Sequence, residues 1–317
     1  MGELRWNPIL QEWVIIASHR QKRPVLPKTE ECPFCPGAPE VAGKWRVLHL
    51  PNKFPALMEN PPEPDIKSDD IYQVKPAKGV CEVLLYTPDH NTTFYQLDLD
   101  HILAIIDMWA SRYKELGAQK DIDYVLIFEN RGREIGVTLD HPHGQLYAFS
   151  FIPSKIEIEL NSAKRYMEKR KECLFCNIIE KEKADGRRIV FDTPSFIACI
   201  PFFATWPYGV HIYSTRHLQN LLDLTDPEKK DFATVLKIIR AKYDALFGFK
   251  LPYVMVFHQS PTTKEDYSYY HFHVEFYPIH RAQEKVKYLA GVELGTNAFI
   301  NPSNPEEKAK ELQEVKV

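Results

Sequence analysis

The clearest alternations of apolar and polar residues along the chain predict strands at Glu12–Ala17, 81–87, 124–129 and 145–151, since side chains on a strand point to opposite faces in turn. Between them, Leu103, Ile106, Trp109 or Ala110, and Tyr113 recur at helical spacing, with Asp98 or Asp100 as cap and Gly117 as stop. Residues 157–172 form a charged connecting helix, after which strands follow at Ile189–Asp192, 196–201 and 210–214. Asp226-Pro227-Glu228 starts a helix that buries Phe232, Val235, Leu236, Ile239, Tyr243 and Leu246 and stops at Gly248. Strands at 253–257 and from His271 onward complete the core, and Asn304 with Glu307 predicts a capping box on a last helix. The proline-rich stretch 51–64 reads as a surface loop.

This order repeats. The first half runs Cys-x-x-Cys, Thr-Pro-Asp-His90, a helix, Tyr-Val-Leu-Ile-Phe-Glu, and His141-Pro-His143-Gly-Gln145. The second runs Cys-x-x-Cys, Ser-Thr-Arg-His217, a helix, Tyr-Val-Met-Val-Phe-His, and His271-Phe-His273-Val-Glu275. His90 and His141 are 51 residues apart, and His217 and His271 are 54 apart. Five features recurring in one order indicate a tandem duplication of one α+β unit, with halves 1–155 and 156–317.

Composition narrows the class. The chain has 317 residues, 44% hydrophobic and 26% charged, which describes a soluble globular protein. A net charge of −3 gives no electrostatic case for nucleic acid, and no apolar run is long enough to span a membrane. The N-terminus carries no export pattern, so a cytoplasmic location is expected. Four of the six cysteines form the two Cys-x-x-Cys pairs, which in that compartment suit metal binding. Cys32, Cys35, His90 and His141 make a tetrahedral zinc set with no open position, hence a structural one. Cys173, Cys176, His217 and His271 are the equivalent second set; a different grouping joins His258 and His273 with a carboxylate such as Glu159.

The chemistry centres on Asp140-His141-Pro142-His143-Gly144-Gln145. Two histidines one residue apart on an extended backbone face opposite ways, so they divide two tasks. Metal fixes His141, and His143 is left as a nucleophile. The His141 carbonyl is the expected acceptor for the other ring N–H of His143. Pro142 stiffens the backbone, Gly144 admits a close neighbour, and Gln145 falls on the His143 face. The basic loop His19 to Pro24 reads as a phosphate clamp.

With Asn7-Pro8, that basic loop, Phe128-Glu129-Asn130, the His141 to Gln145 motif and Phe276-Tyr277-Pro278, the chain resembles the galactose-1-phosphate uridylyltransferases, from about Leu4 to Glu293. They are a branch of the histidine-triad superfamily. The resemblance implies an α+β fold: two histidine-triad-like units forming a largely antiparallel, half-barrel-like sheet with flanking helices. It implies exchange of UMP between UDP-glucose and galactose 1-phosphate through a uridylyl-histidine. It also implies a homodimer whose active sites draw on both subunits. By position, His143 matches the family's nucleophile and Gln145 its phosphoryl-contacting amide. Asn130, Gly136 and Thr138 fall near the nucleotide phosphates, Thr138 replacing the usual serine. Asn52 and Phe54 match the uridine pocket, Arg20 and Arg23 the phosphate-binding arginines, and Lys287 and Glu293 the sugar-phosphate segment. Glu159, His258 and His273 match three ligands of a second metal site in some members; the fourth is histidine there and Glu275 here. Two alternatives stand beside this one. The first is a histidine-triad hydrolase or phosphorylase of diadenosine polyphosphates. The second is a non-catalytic, zinc-stabilised nucleotide-binding protein.

Overall fold

The computed structural model describes residues 2–22 and 32–317. The strands are β1 (Gly2–Asn7), β2 (Glu12–Ala17), β3 (Leu48–Pro51), β4 (Val74–Pro76) and β5 (Gly79–Leu85), followed by helix α1 (Leu99–Gly117). Strands β6 (Tyr124–Arg131) and β7 (His143–Phe149) close the first half, and helices α2 (Ser154–Arg170) and α3 (Leu174–Asp185) join it to the second. There, β8 (Ile189–Asp192), β9 (Phe196–Cys199), β10 (His211–Ser214), helix α4 (Asp226–Phe247), β11 (Tyr253–His258) and β12 (His273–Pro278) repeat the plan. Helices α5 (Gly291–Thr296) and α6 (Pro305–Glu314) end the chain.

Among the described residues, nine strands form one antiparallel sheet in the order β3-β5-β7-β6-β11-β12-β10-β9-β8. The order of the inner strands shows the duplication. β5-β7-β6 in the first half mirrors β10-β12-β11 in the second, and the halves join where β6 pairs with β11, Asn130 opposite Val254. A smaller sheet, β2-β1-β4, forms beside it.

Helices α1 and α4 cover one face because each carries an apolar stripe that must leave water. Ile102, Ile106 and Trp109 of α1 and Phe232, Leu236 and Tyr243 of α4 are fully buried against Val125, Ile127, Leu146, Met255 and Phe257. Each such side chain contributes about 2 kcal/mol by leaving water. The other face takes α2, α3 and β1 through Ile156, Leu160, Phe175 and Leu4, which pack with Tyr124, Phe149 and Tyr213.

Asp98, not Asp100, caps α1, its carboxylate accepting from the His101 amide at 2.6 Å. The capping box expected on α6 is half formed. Asn304 accepts from the Glu306 and Glu307 amides, at 2.9 and 3.2 Å, and the neighbouring Glu306 carboxylate pairs with Arg188 at 2.6 Å. Among the described residues, Glu307 returns no bond to the Asn304 amide. Cys173 and Cys176, expected on a turn, lie at the start of α3, Cys173 as its cap. The first pair is followed by Pro36-Gly37, which stops a helix; the second is followed by Asn177-Ile178-Ile179-Glu180, which continues one. The last core strand begins at His273, two residues after His271. The C-terminal helix is fastened by buried Lys242, whose ammonium donates to the carbonyls of Leu312, Gln313 and Val315 at 2.9, 3.2 and 2.6 Å. These are carbonyls at the end of α6, where a helix runs out of amide partners; of the three, Leu312 also accepts from the Val315 amide, at 3.3 Å.

Candidate active site and metal centres

Cys32 and Cys35 share a tight turn in which the Cys35 amide donates to the Cys32 carbonyl at 3.2 Å. Cys35 Sγ lies 3.5 Å from His90 Nδ1, and both thiols lie 3.8 Å from His141 Nδ1. Sulfur and nitrogen bound to one tetrahedral zinc stand about 3.6 Å apart, so these residues fit such an ion. His141 is buried, and its Nε2 donates to the Thr87 carbonyl at 2.7 Å, which leaves Nδ1 for the metal. Burial also lowers the His141 pKa, favouring the neutral ring that a metal needs.

The second half repeats the geometry. Cys176 Sγ is 3.6 Å from His217 Nδ1 and 3.5 Å from His271 Nδ1, and Cys173 Sγ is 3.9 Å from the latter. His271 Nε2 is held by the Ser214 carbonyl at 2.9 Å. The hydrogen bond between the two thiols lowers the Cys173 pKa and raises that of Cys176, so Cys173 is the one with thiolate character before a metal binds.

A third donor set contains Glu159, His258, His273 and Glu275. Read from the sequence, the grouping with Glu159 and the one with Cys173 are alternatives. The structure holds both, because they share no residue: His271 faces the thiols and His273, two residues on, faces the carboxylates. His258 Nδ1 is 2.9 Å from Glu159 Oε2, and His273 Nε2 is 3.6 Å from Glu275 Oε1.

His143 opens β7 with Nδ1 2.7 Å from the His141 carbonyl oxygen, the expected bond. Nδ1 is therefore the donor, and Nε2 carries the lone pair. Gly144, Leu146 and Ala148 face the helices, so His143, Gln145 and Tyr147 share the other face. A Cβ on Gly144 would stand 2.1 Å from the Tyr86 hydroxyl oxygen, so the neighbour this glycine admits is Tyr86. Arg20 joins the His143 face by donating to the Tyr147 hydroxyl at 3.1 Å, and the Phe128 ring packs on Tyr147.

A cavity of about 400 Å³ opens at this end of the sheet, lined by Asn130, Arg131, Val137, Asp140, His143 and Arg240 among others. Gly136, at φ +84°, closes the turn that carries Val137 and half-buried Thr138 past it. Asn52 Oδ1 accepts from the Phe54 amide at 2.9 Å, shaping the loop after β3. Arg23 lies outside the described residues. Lys287 and Glu293 are not brought to His143 by their contacts. Their side chains pair with each other at 3.0 Å, and Lys287 also donates to the Ile300 carbonyl and lies over Trp206.

Sequence reading missed the buried Glu129 cluster behind Asn130. Glu129 accepts from Arg240 at 2.9 Å and from the Tyr253 hydroxyl at 2.8 Å. Arg240 falls four residues after Leu236 on the apolar stripe of α4, so a charge on a buried helical face was the available signal.

The chain is similar to known proteins along its whole length. Residues 1–153 match the "Galactose-1-phosphate uridyl transferase, N-terminal domain" pattern and residues 159–316 the corresponding C-terminal one. A galactose-1-phosphate uridylyltransferase of Thermotoga maritima is 44% identical, covering 100% of this chain and 99% of its own. That of Haemophilus influenzae is 33% identical, over 98% and 94%. A solved uridylyltransferase superposes with a TM-score of 0.90 at 39% identity, over 98% and 97% of the two chains. An Arabidopsis thaliana ADP-glucose phosphorylase, solved with ADP-glucose, gives 0.76 at 26% identity, over the full length of both. The fold and the relatives define the class as nucleotidyltransferase. The chain belongs to the galactose-1-phosphate uridylyltransferase family.

Cys35→Ser and Cys176→Ser should each remove a bound metal, read by elemental analysis, and lower the thermal midpoint, because a closed site contributes to folding. A metal content unchanged by either substitution would refute that thiolate set.

Proposed function

We propose that the chain transfers UMP from UDP-glucose to galactose 1-phosphate by way of His143, giving glucose 1-phosphate and UDP-galactose. The observation that carries this reading is the His143 ring, fixed through Nδ1 by the His141 carbonyl in a chain of this family. Nε2 attacks the α-phosphorus, and the bond to the glucose 1-phosphate oxygen breaks. That leaving group is a stable anion and needs no proton. As the N–P bond forms, the ring becomes positive, and the carbonyl facing Nδ1–H stabilises that charge. A phosphate oxygen of galactose 1-phosphate then displaces His143 from phosphorus. Gln145 holds the bound uridylyl group. Arg20 and Arg23, with Asn130, Gly136 and Thr138, hold the phosphates, and Asn52 and Phe54 the uridine.

Zinc suits both thiolate sets, which would supply stability and not chemistry, and thiolate ligands fit a reducing, cytoplasmic setting. The halves divide near residues 155 and 156. Lys287 and Glu293, which pair with each other and match the sugar-phosphate segment of the family, serve the partner's site in a homodimer on this reading. Exposed Phe202, Tyr288 and Leu294 in the same half supply apolar surface for that contact. A relative solved with ADP-glucose motivates one rival, adenylyl transfer, separated by comparing turnover of UDP-glucose and ADP-glucose.

Brief incubation with UDP-glucose should add one uridylyl group at His143, found by peptide mass spectrometry, and His143→Ala should abolish exchange. An adduct on another residue would refute the mechanism.

Gln145→His should raise UMP release relative to sugar exchange, because imidazole can relay a proton to and from water and an amide cannot. A ratio that stays at the parent value would show that water is excluded by other means.

His143→Ala and Glu293→Ala chains should each be inactive alone and regain activity when co-expressed, since a mixed dimer holds one intact composite site. Failure to complement, with mixed dimers shown to form, would mean that each site lies within one chain.

A further inference from the structure

Arg20 reaches the His143 face through a neutral partner. Its Nη1 donates to the Tyr147 hydroxyl at 3.1 Å, and among the described residues no carboxylate pairs with it. The buried arginines elsewhere are neutralised: Arg112 by Glu82 at 2.6 Å, Arg188 by Glu182 at 2.8 Å and Arg240 by Glu129 at 2.9 Å. A carboxylate fixes a guanidinium and cancels its charge in one step. A hydroxyl fixes it and leaves the charge for an anion.

Tyr147 is itself well held. It lies on β7, paired with Cys81 of β5 on one side and with Leu126 of β6 on the other. Phe128 meets its ring edge-on at 5.3 Å between centroids, and Phe149 lies tilted at 6.1 Å. Burial raises its pKa above that of an ordinary phenol, so the hydroxyl stays neutral. It stands two residues past Gln145 on the same face, about 7 Å along the strand. The turn carrying Arg20 has a second anchor in His19, whose Nε2 is 2.8 Å from the Pro55 carbonyl oxygen, beside Asn52 and Phe54.

The second half shows the same device with its charge taken up. Tyr277 follows His273 by four residues, as Tyr147 follows His143, and its hydroxyl accepts from the Lys155 ammonium at 2.6 Å. There Glu275, in the place of Gln145, accepts from that ammonium as well, at 2.7 Å. The repeated unit thus seats a cation on a tyrosine in each half, and the first half leaves that cation without a counter-charge among the described residues.

We propose that Tyr147 is a positioning residue for the diphosphate of a UDP-sugar: its hydroxyl fixes Arg20 beside the uridylyl group without neutralising it. The inference rests on the uridylyl transfer proposed above. The test is the binding of UDP and of uridine to the full chain by titration calorimetry, for the parent, Tyr147→Phe, Arg20→Ala and the double variant. Tyr147→Phe keeps the ring and removes the hydroxyl alone. It should weaken UDP binding about tenfold, the size of one hydrogen bond to a charged group, and leave uridine binding unchanged. In the Arg20→Ala background it should cost nothing further. Parent affinity for UDP in Tyr147→Phe, an equal loss for UDP and uridine, or losses that add in the double variant would each overturn the proposal. A parent chain that binds no UDP would refute the proposed transfer, and this inference with it.

Discussion

One hydrogen bond joins the two demands on the motif strand: His143 Nδ1 to the His141 carbonyl, at 2.7 Å. His141 is fixed by its own side chain, with Nε2 on Thr87 and Nδ1 at the thiols. Its carbonyl is consequently a rigid acceptor, and rigidity is what a nucleophile needs. In the proposed transfer, a ring that must deliver one nitrogen to phosphorus gains nothing from a partner that moves. The thiolate set, structural in itself, thus also contributes to the orientation of the His143 ring through the His141 carbonyl.

The same bond occurs between His273 and His271, so the duplicated unit carries the geometry and not the chemistry. Chemistry diverged through the residue two places on. An amide at Gln145 is neutral and can accept a negatively charged ligand nearby, whereas Glu275 repels one and requires positive charge. The first half therefore kept its site half-open at His143 and Gln145, and the second closed its counterpart among buried rings.

Much of this plan was legible because it is written in local patterns. Residues 145–151 alternate, α1 and α4 carry stripes at helical spacing, and the thiolate pairs repeat in order. What escaped depends on partners far along the chain. β3 and β4 are short, and pairing with β5 and β1 makes them strands. The second thiolate pair looked like the first, and only the residues after it send the chain into α3. No local pattern marks Lys155 or Lys242; their contacts are with carboxylates and carbonyls 120 and about 70 residues away. Spacing cannot announce such a partner.

Tyr86 and Thr87 form the template against which the motif strand is set. The Tyr86 amide donates to the Pro142 carbonyl at 3.1 Å, the Thr87 carbonyl holds His141, and the Tyr86 hydroxyl fills the space over Gly144. Tyr86 is itself held: its carbonyl accepts from His101 Nε2 at 2.8 Å, and its ring packs edge-on against Trp109 of α1. The packed helix thus reaches His143 through two consecutive residues. Glycine is required at 144 because a backbone pressed onto this template has no room for a side chain. Placement of the His143 ring is in that sense a property of the hydrophobic core, passed to it through backbone hydrogen bonds.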